Sequence, residues 1–492
     1  MLAWRALAVA VAAAGLALRW SELGTYGLSN DEAWVGLATR VDGFAQARLA
    51  IAMTPVGWAA LVKLASLGSS ELALRLVPFA FGGLTMVVAW RAGRRFAGHE
   101  LGGVLALAVV AFDPLGIAYA RILKQYTAEA FFALLAIDRA AAWAACPRRS
   151  ALVTLALVLT LGTLFANAQL FLGPPICAAL LVVAARRGDR RTLVDVAAMT
   201  AVVGIANAVV YRALLAPRLP AVTDAYWAAQ VYLPPNPLAA ARIIWERLGW
   251  TLRASLGAAG FPVGMVALAL ASLRPRTRPT GLVLALLLAE LAVLSMLHVV
   301  AVSQPRILLF LTSALGAFAG AAIAALVVRA DGPAMRIVAG LAFALLVVDF
   351  ARVHAWRTLA HATQLEDAGP LVREFERDAG PNDALLLHER SLFVYGFYQR
   401  ATPVLDPMPL SVGYLPRVTD PRVTVVNDLT VAERARAAFA RTPRVWFVGS
   451  RLRPLQEGGI RAALEPLATT VRERRRPGAI GLLLERRPAA GR

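Results

Sequence analysis

The chain has 492 residues, of which 59% are hydrophobic and 17% charged, and a mean hydropathy of +0.61. A soluble domain of this size could hardly bury that balance, so lipid must be its solvent. The net charge of +20 does not imply a nucleic-acid partner, because the arginines cluster in every second loop: Arg91, Arg94 and Arg95, then Arg148 and Arg149, Arg186, Arg187, Arg190 and Arg191, Arg274, Arg276 and Arg278, and Arg329 and Arg336. That is the positive-inside pattern of a multi-pass membrane protein.

Apolar runs long enough to cross about 30 Å of hydrocarbon predict roughly eleven transmembrane helices. They lie at 2–18, 72–90, 101–119, 126–145, 151–165, 170–185, 193–215, 256–273, 281–302, 307–328 and 334–353. The first run, behind Arg5, has the length of a signal peptide and is read as a retained anchor. With the N-terminus in the cytoplasm, the C-terminus falls outside. Beyond 353 the chain turns charged and Pro-containing, with short apolar runs at 384–387, 423–426, 445–448 and 480–484 that read as strands and helical stretches at 369–377 and 431–440. The fold class expected is an α-helical polytopic membrane module, 1–353, followed by a small extracytoplasmic α/β domain, 354–492. Cys146 and Cys177 have no partner spacing for a metal or redox motif, and His354, His361 and His388 lack metal-ligand spacing. No cofactor is expected, and a divalent metal finds no support in the sequence.

Two outer loops are long, 19–71 and 216–255, whereas every inner loop is short, which puts the chemistry on the outer face. In the first, Ser29-Asn30-Asp31-Glu32-Ala33-Trp34 opens an amphipathic helix, with Trp34, Leu37, Ala38, Val41, Phe44 and Ala45 on one face, expected to lie flat on the membrane. Ser29 and Glu32 fit a capping box, which accounts for Glu32 and leaves Asp31 without a local task. Asp31 is therefore the candidate base, with Glu32 the other candidate catalytic residue. Between the third and fourth helices Asp113, Tyr119, Arg121, Lys124, Tyr126 and Glu129 crowd a short outer turn. Two readings stay open there: cations for a lipid phosphate, or side chains that snorkel from helix ends and pair with Asp113 or Glu129.

Three stretches, in order, resemble the membrane-embedded GT-C glycosyltransferases, in particular bacterial relatives of protein O-mannosyltransferase and aminoarabinose transferase. They are Asn30-Asp31-Glu32-Ala33-Trp34, the run from Thr54-Pro55-Val56-Gly57-Trp58 through Glu71–Leu76 to Gly93-Arg94-Arg95, and Tyr119-Ala120-Arg121 to Lys124-Gln125-Tyr126. A weaker element, Gln304-Pro305-Arg306, is similar to one near the family's donor site. The resemblance implies that Asp31 activates the acceptor and that Lys124 with Arg121, aided by Tyr126 and Arg306, holds the donor phosphate. Ile122 stands where many relatives carry an acid, so Asp113 or Glu129 is the candidate second carboxylate.

The function expected is transfer of a sugar, with inversion, from a polyprenyl-phosphate donor to an extracytoplasmic glycan, lipid or protein. Such a donor suits a compartment with no ready supply of nucleotide sugars. The Ala- and Arg-rich usage suggests a high-GC bacterium and hence the inner membrane. The alternatives are a flippase or transporter of a lipid-linked saccharide, and an O-antigen polymerase or ligase working through Arg218, Arg242 and Arg247. In the ninth helix Glu290 and His298 are expected to form a buried polar pair. The aromatic stretch 226–237 is an interfacial anchor or a cover for lipid or sugar, and Arg472, Arg474, Arg475 and Arg476 read as a solvated face.

Overall fold

A computed structural model describes residues 2–51, 54–68, 70–215, 232–300, 302, 306–329, 332–333, 337, 340, 366–408 and 413–487. The chain divides into two compact units, one of Met1–Ser21, Pro55–Trp58 and Arg75–His361, the other of Glu22–Thr54, Ala59–Leu74 and Ala362–Arg492. The second unit thus joins the first outer loop to the C-terminal region.

Its helices, in chain order, are α1 (Leu2–Trp20), α2 (Asn30–Gly36), α3 (Phe44–Ala50), α4 (Val56–Ala65), α5 (Glu71–Ala97), α6 (Glu100–Ala111), α7 (Pro114–Ala120), α8 (Tyr126–Ala145), α9 (Arg149–Gly162), α10 (Gln169–Arg187) and α11 (Arg190–Val210). After the segment outside the described residues come α12 (Pro237–Leu256), α13 (Gly260–Ser272), α14 (Arg278–Met296) and α15 (Leu309–Val328). Among the described residues six helices are long and apolar enough to cross a membrane, or up to eight if the bent pairs α6–α7 and α12–α13 each count as one span. The chain is a multi-pass membrane protein. The shortfall from eleven has local causes: α8 carries Glu129, Asp138 and Arg139, α9 is short, and the last expected helix, 334–353, lies almost entirely outside the described residues.

The core of the helical unit is α15, buried nearly all round and packed against α6, α8 and α13. Small residues permit the approach. A Cβ on Gly320 would meet the Leu105 carbonyl oxygen at 3.1 Å, and one on Gly93 would meet that of Gly102 at 2.4 Å, the close backbone contact on which helix association in lipid relies.

The span expected at 101–119 is broken, with α6 and α7 meeting at 61°. Asp113 caps α7 and Pro114 occupies its first turn, a helix-start signal inside what otherwise reads as one apolar run. A break in hydrocarbon leaves carbonyls unsatisfied. Arg19, placed by its sequence position in the first outer loop, instead ends α1 and is 1% exposed. It donates to the carbonyls of Ala111 (2.6 Å), Val110 (2.7 Å) and Gly15 (3.0 Å).

In the second unit a five-stranded sheet runs in the order β4-β1-β5-β7-β6, with β1 (Ala384–His388), β4 (Val423–Val426), β5 (Arg444–Ser450), β6 (Ala468–Arg476) and β7 (Ala479–Arg486); β2 (Val404–Pro407) pairs antiparallel with β3 (Tyr414–Arg417). Strands β1, β4 and β5 are parallel, while β7 returns antiparallel beside β5 and β6 beside β7. The remaining helices are α16 (Gly369–Asp378), α17 (Leu392–Tyr398), α18 (Val431–Arg441) and α19 (Pro454–Leu464).

The first outer loop does not form one flat amphipathic helix. Gly43 takes φ +79°, a conformation its missing Cβ permits, and separates α2 from α3. The apolar face, Leu37, Val41 and Ala50 with Trp34, packs on Leu405, Tyr414, Phe393 and Phe397 of the same unit.

Arg19→Met keeps the length and removes the donors. We expect it to lower stability in detergent by about 2–4 kcal/mol, the range for losing hydrogen bonds to a charged group from buried partners, read as a fall in thermal midpoint, with Arg19→Lys in between.

Candidate functional site

In the second unit four consecutive backbone amides are held by side chains. The amide of Gly27 donates to Asp367 Oδ1 (2.8 Å), Leu28 to the Tyr398 hydroxyl (2.7 Å), Ser29 to Glu32 Oε2 (3.0 Å) and Asn30 to Glu366 Oε2 (3.0 Å). Burial, followed by the nearby Glu71 charge, pushes the Tyr398 phenol far above its ordinary range. The phenol thus stays neutral, accepting from Leu28 while donating to Glu71 at 3.0 Å.

This clamp fixes the entry into α2. Glu32 is fully buried and makes the capping box with Ser29, whose hydroxyl donates to its carboxylate at 3.0 Å. Asp31, next to it, keeps 38% of its side chain exposed. Its Oδ2 lies 3.4 Å from Arg451 Nη2, and the Arg451 Nε donates to Glu366, itself almost wholly buried. One guanidinium therefore bridges an exposed and a buried carboxylate.

Arg451 follows β5 at φ +54°, a left-handed conformation that disfavours a residue with a Cβ. Its amide donates to the Gly478 carbonyl (2.9 Å), and its own carbonyl accepts from Arg390 (2.7 Å). Sequence reasoning missed both Arg451 and Glu366, because nothing local ties them to a segment more than three hundred residues away. A polar residue just past the carboxyl end of a parallel strand was the one available signal.

In the helical unit Asp113 is 4% exposed and spends both oxygens structurally, accepting from the Gly116 amide (2.9 Å) and from the Ser255 hydroxyl (2.6 Å). Arg121 closes α7 and is 5% exposed; its Nη2 donates to the Leu18 carbonyl and to the Ser21 hydroxyl (2.5 Å). Lys124 is half-buried in the turn that follows. Tyr126 begins α8, its ring edge-on to Tyr119 at 4.9 Å, and Glu129, one turn in, is buried. Arg121, Lys124 and Tyr126 are thus presented by one turn between α7 and α8.

Arg306 is half-buried in the turn before α15, while Gln304 and Pro305 lie outside the described residues, as do Tyr226, Trp227, Arg218, His354 and His361. Among the described residues of the second long loop, 237–255 is helical. Asn236 caps α12 with Pro237 in its first turn, an Asn-Pro start signal missed in the sequence. Glu290 and His298 do not pair: the His298 ring, past the end of α14, stacks on Tyr232 at 4.7 Å. Among the described residues no group of three or more His, Cys, Asp or Glu is placed to hold a metal.

No family model and no curated protein matches the chain. Solved structures do match. ArnT from Cupriavidus metallidurans bound to undecaprenyl phosphate aligns with a TM-score of 0.56 at 16% identity over 98% of each chain. Archaeal AglB from Archaeoglobus fulgidus, an oligosaccharyltransferase in complex with an inhibitory peptide and a dolichol-phosphate, aligns with a TM-score of 0.56 at 12% identity, over 97% of this chain and 74% of that one. The chain shares the fold of these two proteins.

Arg451→Met leaves the Glu366 carboxylate buried without its cation. We expect a loss of about 2–4 kcal/mol in thermal or denaturant unfolding of the full-length protein. Adding Glu366→Gln should return part of it, because the double variant no longer buries an unpaired charge.

Proposed function

We propose that this protein is a membrane-embedded glycosyltransferase that moves a hexosyl or pentosyl group, with inversion, from a polyprenyl-phosphate donor to an extracytoplasmic glycan, lipid or protein. The observation that carries the reading is the end-to-end fold match to a protein bound to undecaprenyl phosphate, with a second match to an oligosaccharyltransferase bound to a dolichol-phosphate. We place the protein in a bacterial inner membrane, with its N-terminus cytoplasmic, residues 354–492 extracytoplasmic, and the shorter apolar helices completing about eleven passes of the hydrocarbon.

Asp31 is the proposed general base. Of the two acids opening α2, Glu32 is consumed by its cap, whereas Asp31 is held on a clamped backbone with an exposed carboxylate. It takes the proton from the acceptor hydroxyl or amine as that atom attacks the anomeric carbon. The bond from that carbon to the donor phosphate oxygen breaks, and the departing polyprenyl phosphate gains a negative charge. Lys124, whose ammonium is a compact donor, and Arg121 meet that charge, with Tyr126 and Arg306 completing the phosphate site. A positioned base contributes about 10²–10⁴-fold, and fixed cations at the developing charge act beside it. Glu129 or Asp113, the latter also capping α7, is the proposed second acid.

The test is transfer of radiolabelled sugar from a panel of polyprenyl-phosphate sugars to membrane acceptors by the full-length protein in nanodiscs. Asp31→Asn should lose about 10²-fold or more in kcat with its thermal midpoint kept. Lys124→Met should lose a comparable factor. Full activity in Asp31→Asn would remove it as the base; absence of transfer from every donor, with lipid-linked sugar crossing the bilayer instead, would replace the transferase by a flippase.

A further inference from the structure

In the second unit, α16 and the edge strand β6 enclose an open groove of about 860 Å³, a volume typical of small-molecule sites. Seven arginines and three carboxylates line it. Two of the arginines are neutralised from elsewhere: Arg373 by Glu71 at 2.5 Å and Arg475 by Glu457 at 2.6 Å. Of the other five, Arg377, Arg400, Arg472 and Arg474 share Glu374, Glu376 and Asp378.

That sharing is loose. Glu374 serves Arg472 at 3.0 Å and Arg474 at 3.8 Å, Asp378 serves Arg377 at 2.6 Å and Arg472 at 3.6 Å, and Glu376 stands 3.9 Å from Arg400. The groove therefore carries an excess of about two positive charges.

The strand that supplies them is a poor strand by composition. Arg472, Arg474 and Arg476 pair with Leu483, Gly481 and Ala479 of β7, so they share one face at two-residue spacing, about 7 Å apart. Like charges that close repel inside a Debye length, and no apolar burial on β6 offsets the cost, since all of its residues after Ala468 are exposed. A local rule broken in this way, with the cations converging on one cavity, is characteristic of a ligand site.

We propose that this groove binds a doubly charged phosphate ester, a sugar phosphate or a phospholipid headgroup. The arginine forks grip the phosphate oxygens, and the volume beyond them holds the esterified group. This goes beyond the transferase reading and does not depend on it.

The test uses the full-length protein in phosphatidylcholine nanodiscs, with two probes: glucose 1-phosphate by calorimetry, and vesicles of phosphatidylcholine containing phosphatidic acid by co-flotation. We expect saturable binding of at least one probe, weakened at least roughly tenfold by R472Q/R474Q. R377Q/R400Q should act alike; those side chains are 72% and 73% exposed, so this pair keeps the test valid if the strand variant unfolds. R434Q/R436Q on α18 should change nothing. Binding of glucose 1-phosphate identifies a soluble ester as ligand; arginine-dependent binding of vesicles alone identifies a lipid headgroup. Binding of neither probe, or equal weakening by the α18 pair, overturns the proposal.

Discussion

In hydrocarbon no water is available to a backbone group that loses its partner, so a helix can break inside a membrane protein only where side chains complete the hydrogen bonding. The turn between α6 and α7 depends on this constraint. Asp113 supplies the amide end by capping α7, and Arg19 supplies the carbonyl end through Val110 and Ala111. Arg121 then ties the end of α7 back to Leu18 and Ser21. The short polar turn bearing Lys124 follows from that sequence of closures.

The second unit, which carries the sheet, solves a different problem with similar means. A loop that enters a helix through Gly27-Leu28-Ser29-Asn30 would ordinarily leave its amides to water. Here Asp367, Tyr398, Glu32 and Glu366 each take one. Fixing four residues costs conformational entropy, and the return is a carboxylate, Asp31, whose backbone is held on both sides while its side chain remains exposed. Arg451, itself in a left-handed conformation, spans Asp31 and Glu366. The proposed base and the cation beside it thus come from distant parts of the chain within one compact unit.

The inner strands of the sheet were legible because burial on both faces forces continuous apolar runs: β1, β5 and β7 are such runs, and the edge strand β4, only partly buried, is a short Val-rich run. Strands β2, β3 and β6 were not legible. The first two are short, and β6 alternates arginine with glutamate and valine, its pairing decided by β7 and not by its own composition. The capping box at Ser29 and Glu32 was readable because it is local, three residues across. The break at Gly43 escaped notice because helical periodicity continues on both sides of it.

By itself the sequence determined the lipid solvent, the positive-inside arrangement, the order of the candidate segments and the ambiguity between Asp31 and Glu32, since each of these rests on composition or on spacings within a few turns. Only the tertiary structure decided that Arg19 is buried and that Glu366 and Arg451 serve the Asn30–Asp31 segment. It also gathered the arginines of β6 beside those of α16. The physical reason is distance along the chain. A buried charge needs a partner close in space, and no local pattern records a partner three hundred residues away.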